Sequence, residues 1–192
     1  MAPDFFSFLG LPRKLSIDAA DLEQRYRALS RQYHPDYFYN APPAERRLSL
    51  ERSSYLNDAY RTLRNPIARV EYLLRLEGFS AAAPKQASLS PALLEDVFAL
   101  NEQLDEVRKL KAGGAAPEHW RPRLERARQP IETKRAAHER QVQELTTRWD
   151  ASVDAGAGDT ERREVLTALR ERVLERNYIN NLLAGIQREL EG

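Results

Sequence analysis

Apolar residues recur at intervals of three and four along almost the whole chain, interrupted where glycine and proline cluster, and that spacing predicts helices throughout. Leu22, Tyr26, Leu29 and Tyr33 form one such stripe, which must face a partner helix. Asp18 is a suitable N-cap for this helix. Pro35 stops it, because proline lacks an N–H and drives the preceding residue out of helical geometry. Residues 37–43, with Pro42 and Pro43, read as a loop, and a long helix follows from about Ala44 to Arg64. Asn65-Pro66 then restarts the chain as N-cap and first helical residue, and the fourth helix ends near Gly78.

The stretch Ser80 to Ser90 is rich in Ala, Ser and Pro and reads as a linker, after which Ser90-Pro91 repeats the cap-then-proline signal. The second block predicts three helices in an antiparallel bundle. They cover about 91–111, ending at Gly113-Gly114; about 117–149, with a bend expected at Pro130; and about 159–190. Leu93, Val97, Leu100, Leu104 and Val107 supply the seam of the first. Leu166, Leu169, Val173, Ile179, Leu183, Ile186 and Leu190 supply that of the last, close to heptad spacing. The expected architecture is all-α: residues 1–78, a linker over 79–90, and a three-helix domain over 91–192.

Charge excludes some functions. Of 192 residues 31% are charged, yet the formal net charge is only +1. Residues 1–78 carry 12 basic and 10 acidic side chains, against 18 and 19 in 79–192, so neither block is a grip for polyanions. Arg121, Arg123, Arg126, Arg128, Lys134, Arg135 and Arg140 are interleaved with Glu118, Glu125, Glu132 and Glu139, a mixture with little attraction for phosphates. Without cysteines there is no disulfide, thiol catalysis or thiolate-held metal. No apolar run approaches the ~20 residues that span a bilayer. The first helix begins close to Met1, leaving no room for a leader, so a cytoplasmic protein is expected.

The candidate chemistry lies at the end of the second helix. Arg25, Arg27 and Arg31 lie mostly off its apolar stripe as a basic outer face, and His34-Pro35-Asp36 follows on an exposed loop. This arrangement resembles the J domain, the module that docks on DnaK-type chaperones and stimulates their ATPase. The opening Asp4-Phe5-Phe6-Ser7-Phe8-Leu9-Gly10-Leu11-Pro12 is similar to that domain's short first helix and turn. The segment from Leu56-Asn57-Asp58-Ala59-Tyr60 to Asn65-Pro66, continuing through Arg69 to Leu74, resembles one branch of it, the HscB family of co-chaperones for iron–sulfur cluster assembly. The resemblance implies a helical hairpin with two short flanking helices in the first block. It also implies that the three arginines meet acidic residues of the chaperone while His34, Pro35 and Asp36 insert at its interdomain junction. Tyr37 departs from the pattern, since J domains usually carry a lysine or arginine there, and a basic contact is lost. Without the resemblance, the arginines would read as a solvated helix face and His34 as an ordinary turn histidine.

A second surface is expected on the first bundle helix. Leu94 and Phe98 lie beside the seam, flanked by Glu95, Asp96, Glu102, Asp105 and Glu106, and no basic residue occurs between Lys85 and Arg108. An apolar spot with an acidic border suits protein docking, because apolar anchors supply affinity and charges orient. The same spacing also suits a wide core stripe. The resemblance implies that Leu94, Phe98, Glu102 and Glu106, with Tyr178 from the last helix, bind an IscU-like iron–sulfur scaffold protein. Glu95 and Ala99 depart from the family's usual residues there.

Catalysis is not expected. His34 and Asp36 are too few for a metal site, His119 and His138 lie far away, and no HExxH, glycine-rich phosphate loop or GxSxG occurs. The expected protein holds no cofactor, metal or cluster, binds neither nucleic acid nor membrane, and activates a partner's ATPase. A J protein serving a different client is the alternative.

Overall fold

The computed structural model describes residues 3–79 and 91–191, with side chains from Leu94 onward in the second stretch. The expected linker and the Ser90 cap, and the side chain of Leu93, lie outside the described residues. Seven α-helices occur among those described: α1 (Phe5–Phe8), α2 (Ala19–Tyr33), α3 (Pro43–Arg64), α4 (Pro66–Leu76), α5 (Pro91–Ala112), α6 (Pro117–Asp154) and α7 (Asp159–Glu191). The fold is all-α as expected. A 3-10 turn over Pro35–Phe38 replaces the front of the predicted loop. α6 continues to Asp154, beyond the predicted end at 149, and is helical through Pro122 and Pro130.

Packing divides the chain into two compact units. One gathers α1 to α4 together with Leu145–Thr167; the other holds α5, α6 up to Glu144 and α7 from Ala168. The expected blocks followed chain order, whereas this division places the end of α6 and the start of α7 with the first helices.

In the first unit the caps form as the sequence predicts. Asp18 accepts the Asp21 N–H, and Asn65 accepts those of Ile67 and Ala68. α2 and α3 run antiparallel, joined at one end by the Ser49 hydroxyl donating to the Tyr33 carbonyl (2.9 Å). Further along, the Tyr26 hydroxyl donates to Asn57 Oδ1 (2.9 Å). Leu22, Leu56, Ala59, Leu63, Val70, Leu73 and Leu74 are buried, with Phe6, Leu9 and Leu15 closing one end. α4 holds α1, since the Phe5 and Tyr72 rings stack at 4.3 Å and the Phe5 N–H donates to the Tyr72 hydroxyl. Trp149, Val165 and Leu166 are buried in the same unit. The Trp149 indole N–H donates to the Arg13 carbonyl (2.8 Å), so the tip of the α6–α7 hairpin clasps the loop before α2.

The second unit is an up-down-up arrangement of three helices. Leu100, Leu104, Val107, Trp120, Leu124 and Ile186 form its main core, and Ile131 with Ile179 a smaller one. Each fully buried side chain of this size contributes roughly 1.5–3 kcal/mol. At the end of α5 the Arg108 guanidinium meets Glu189 of α7 at 2.7 Å, with Lys111 on the same carboxylate. His138 is buried and spends Nε2 on the Arg172 carbonyl at 2.7 Å.

Candidate functional site

The first candidate surface forms where α2 ends. Pro35 leaves His34 with extended backbone (ψ 126°), and the next residues close into the 3-10 turn. Two bonds fix that turn: the Asp36 N–H donates to His34 Nδ1 (3.3 Å) and the Tyr37 N–H to the His34 carbonyl (3.1 Å). The loop is therefore a built shape, yet its polar side chains face water. The His34 side chain is 50% exposed and that of Asp36 85%. His34 Nδ1 lies 3.5 Å from Asp36 Oδ2, so the imidazole and carboxylate present themselves as one polar unit.

The three arginines differ in their surroundings. Arg27 and Arg31 are exposed and four residues apart, hence on one face leading to His34. Arg27 also pairs with Glu23 one turn back. Arg25 is half-buried and turned to internal use. Its Nη1 donates to the Gly10 carbonyl (2.8 Å) and the Leu9 carbonyl (3.3 Å), and its Nε meets Asp21. Gly10 sits at φ +68°, and a Cβ there would stand 3.0 Å from that nitrogen. Arg25 thus ties the turn after α1 to α2. Three residues from Leu22, it lies on the edge of the apolar stripe, a position spacing alone did not separate from the outer face.

The second candidate surface lies on α5. Phe98 is 72% exposed and Leu94 40%. Glu95 and Glu102 are exposed beside them. Leu94, Phe98, Glu102 and Glu106 follow at four-residue intervals, so they share a row. Glu106 at the end of that row is held by Arg123 of α6 (2.8 Å), and Asp96 by Lys134. Tyr178 is half-buried against Ile131 and Ile179. Of the five residues named from the sequence, Leu94, Phe98 and Glu102 are openly presented, whereas Glu106 and Tyr178 also serve the bundle.

The sequence reading noted Tyr37 only as a lost basic contact and passed over Tyr39. Tyr37 and Tyr39, on the turn that carries His34, are 73% and 78% exposed. Their signal was available: two tyrosines in a short polar loop, Tyr37 at the position otherwise noted as lacking a base. Among the described residues no group of three or more His, Asp or Glu is placed to hold a metal, and no helix is long and apolar enough to cross a membrane.

Comparison with known proteins agrees with this geometry. Residues 4–72 match the DnaJ domain family, a span that contains α1 to α3, the 3-10 turn and most of α4. The chaperone HscB from Vibrio cholerae superposes with a TM-score of 0.60 at 22% identity, covering 97% of this chain and 96% of its own. The human co-chaperone protein HscB gives a TM-score of 0.65 at 24% identity, covering 97% of this chain and 81% of its own. Over residues 4–72 this chain is accordingly similar to the DnaJ domain, and over nearly its whole length it shares the fold of the HscB co-chaperones.

Proposed function

We propose that the chain is an HscB-type co-chaperone. It binds an IscU-like iron–sulfur scaffold protein through α5 and delivers it to a DnaK-type, HscA-like chaperone, whose ATPase it stimulates through the DnaJ domain. The protein itself hydrolyses nothing and carries no cluster. The observation that carries this reading is the presence, on one chain with this fold, of two separate open surfaces: the shaped His34–Asp36 loop, and the Leu94/Phe98 spot, whose large apolar side chains face solvent instead of the bundle core.

Each surface has a task that suits its chemistry. The loop must favour one conformational state of the chaperone, because a regulator shifts an equilibrium only by differential affinity. A rigid turn presenting His34 and Asp36 together suits recognition of one arrangement of a domain junction, with Arg27 and Arg31 steering the approach. On α5, Phe98 and Leu94 supply apolar anchors, and Glu95 and Glu102 a charged rim. Glu106 and Tyr178 support that row from the bundle.

The test is the steady-state ATPase of the iron–sulfur DnaK-type chaperone, with and without scaffold protein, on addition of wild-type or His34→Gln protein. Synergistic stimulation by wild type and scaffold, lost in His34→Gln at unchanged helicity, is the expected result. Stimulation indifferent to the scaffold would point to another client, and no stimulation would refute the reading.

A further inference from the structure

We infer that Tyr37 and Tyr39 form an aromatic extension of the His34–Asp36 loop, which grips an uncharged, apolar surface on the same DnaK-type chaperone. This rests on the co-chaperone reading and names the kind of surface its loop meets. The argument starts from continuity. The Tyr37 N–H is bonded to the His34 carbonyl, and the Tyr37 ring stands edge-on to the imidazole, with centroids 5.9 Å apart. Tyr39 closes the same turn, its N–H directed to the Asp36 carbonyl. A partner that encloses His34 and Asp36 must therefore cover Tyr37 as well.

The chemistry of the partner surface follows from what the rings offer. At 73% and 78% exposure the two side chains leave most of their apolar area in water, a cost recovered only on burial. Tyrosine has few rotatable bonds and a large amphipathic body, so it gains contact area at small entropic cost, as interface anchors do. Neither ring carries a formal charge, so a carboxylate opposite them would be desolvated without an ion pair in return. The matching surface is apolar or rich in main-chain groups. The affinity of this part of the loop is then insensitive to salt, unlike that supplied by Arg27 and Arg31. It also sets partner choice: a chaperone bearing acidic residues at this place is selected against.

The experiment titrates the chain into the iron–sulfur DnaK-type chaperone and reads single-turnover ATP hydrolysis at low and high salt. Wild type is compared with Tyr37→Ala, Tyr37→Phe, Tyr37→Lys, Tyr39→Ala and His34→Gln. Tyr37→Ala is expected to raise the half-maximal concentration about tenfold, with the maximal rate kept and the same effect at both salts. Tyr39→Ala acts in the same sense, Tyr37→Phe stays near wild type, and Tyr37→Lys weakens most. An unchanged half-maximal concentration in Tyr37→Ala, or tighter binding by Tyr37→Lys at low salt, would overturn this inference while leaving the co-chaperone reading intact. Failure of wild type to exceed His34→Gln would overturn both.

Discussion

The carboxylate of Asp150, on α6, accepts the main-chain N–H of Leu15 at 2.6 Å and that of Ser16 at 2.8 Å, in the loop that leads into α2. One side chain from late in the sequence thus satisfies two donors near its beginning, beside a leucine only 1% exposed. Asp150→Ala leaves the buried Leu15 donor without its acceptor, which costs about 1–3 kcal/mol. Urea denaturation should show this loss, with a smaller one for Asp150→Asn, which keeps one acceptor oxygen.

Arg69 lies in the same unit and is only 8% exposed. Its Nη1 donates to the Leu63 carbonyl at 2.6 Å, at the end of α3. Burial lowers its pKa and the charge of Asp150 works against that. Arg69→Met is expected to cost about 1–3 kcal/mol by stranding that carbonyl. Combined with Asp150→Ala, the total should depart from the sum of the two by at least about 0.5 kcal/mol, because each removes the other's electrostatic partner. Simple additivity in that double-mutant cycle would show the two sites to be uncoupled.

The arginines of α2 should separate by the quantity they change. Arg25→Ala removes the donor to the Leu9 and Gly10 carbonyls, so it lowers stability, by about 1–2 kcal/mol. Arg27→Ala and Arg31→Ala remove exposed charges and should alter stability within about 0.5 kcal/mol. Their expected effect is on chaperone affinity, stronger at low salt than at high. Thermal melts paired with ATPase titrations distinguish the groups.

On α5, Phe98→Ala and Leu94→Ala are expected to leave the melting temperature nearly unchanged and to abolish scaffold binding in calorimetry. Tyr178→Ala has a different signature. Its ring packs on Ile131 and Ile179, so truncation lowers stability as well as any binding.

Acid should loosen the end of the bundle. The hydrogen bond from Arg108 is the main cause that holds Glu189 below its ordinary value; the Arg108 and Lys111 charges reinforce it, against a smaller opposing effect of burial. A carboxylate depressed in the folded state contributes stability that is fully present above its unfolded pKa. That contribution is lost as the pH falls through the folded one. Stability should therefore drop below the ordinary carboxylate range, about pH 4. Glu189→Gln should flatten this part of the profile while leaving a weaker protein at neutral pH.

Local chemistry made most of the fold legible. Asp18 and Asn65-Pro66 announced helix starts because a cap acts on residues two and three further on, and the structure uses both as caps. His34-Pro35-Asp36 was legible for the same reason: proline decides the backbone around it. What sequence could not reveal depended on distant neighbours. Trp149 and Asp150 sit in a helix rich in charge, and nothing nearby indicates that one is buried and the other accepts two amides from residues 15 and 16. Arg25 looked like its neighbours until the carbonyls of Leu9 and Gly10 appeared beside it. Spacing likewise left Phe98 between a wide core stripe and an outward position, and its exposure places it outside the core.

The clasp of Trp149 and Asp150 on residues 13 to 16 also sets a timetable for synthesis. Translation advances at about 5–20 residues per second, so α1 to α4 leave the ribosome on the order of 4–14 seconds before the segment that completes their unit. During that interval the Leu15 and Ser16 amides have no carboxylate to meet. Termination before residue 145 would yield a chain that carries the whole His34 loop but lacks the side chains that bind the Arg13 carbonyl and the Leu15 and Ser16 amides.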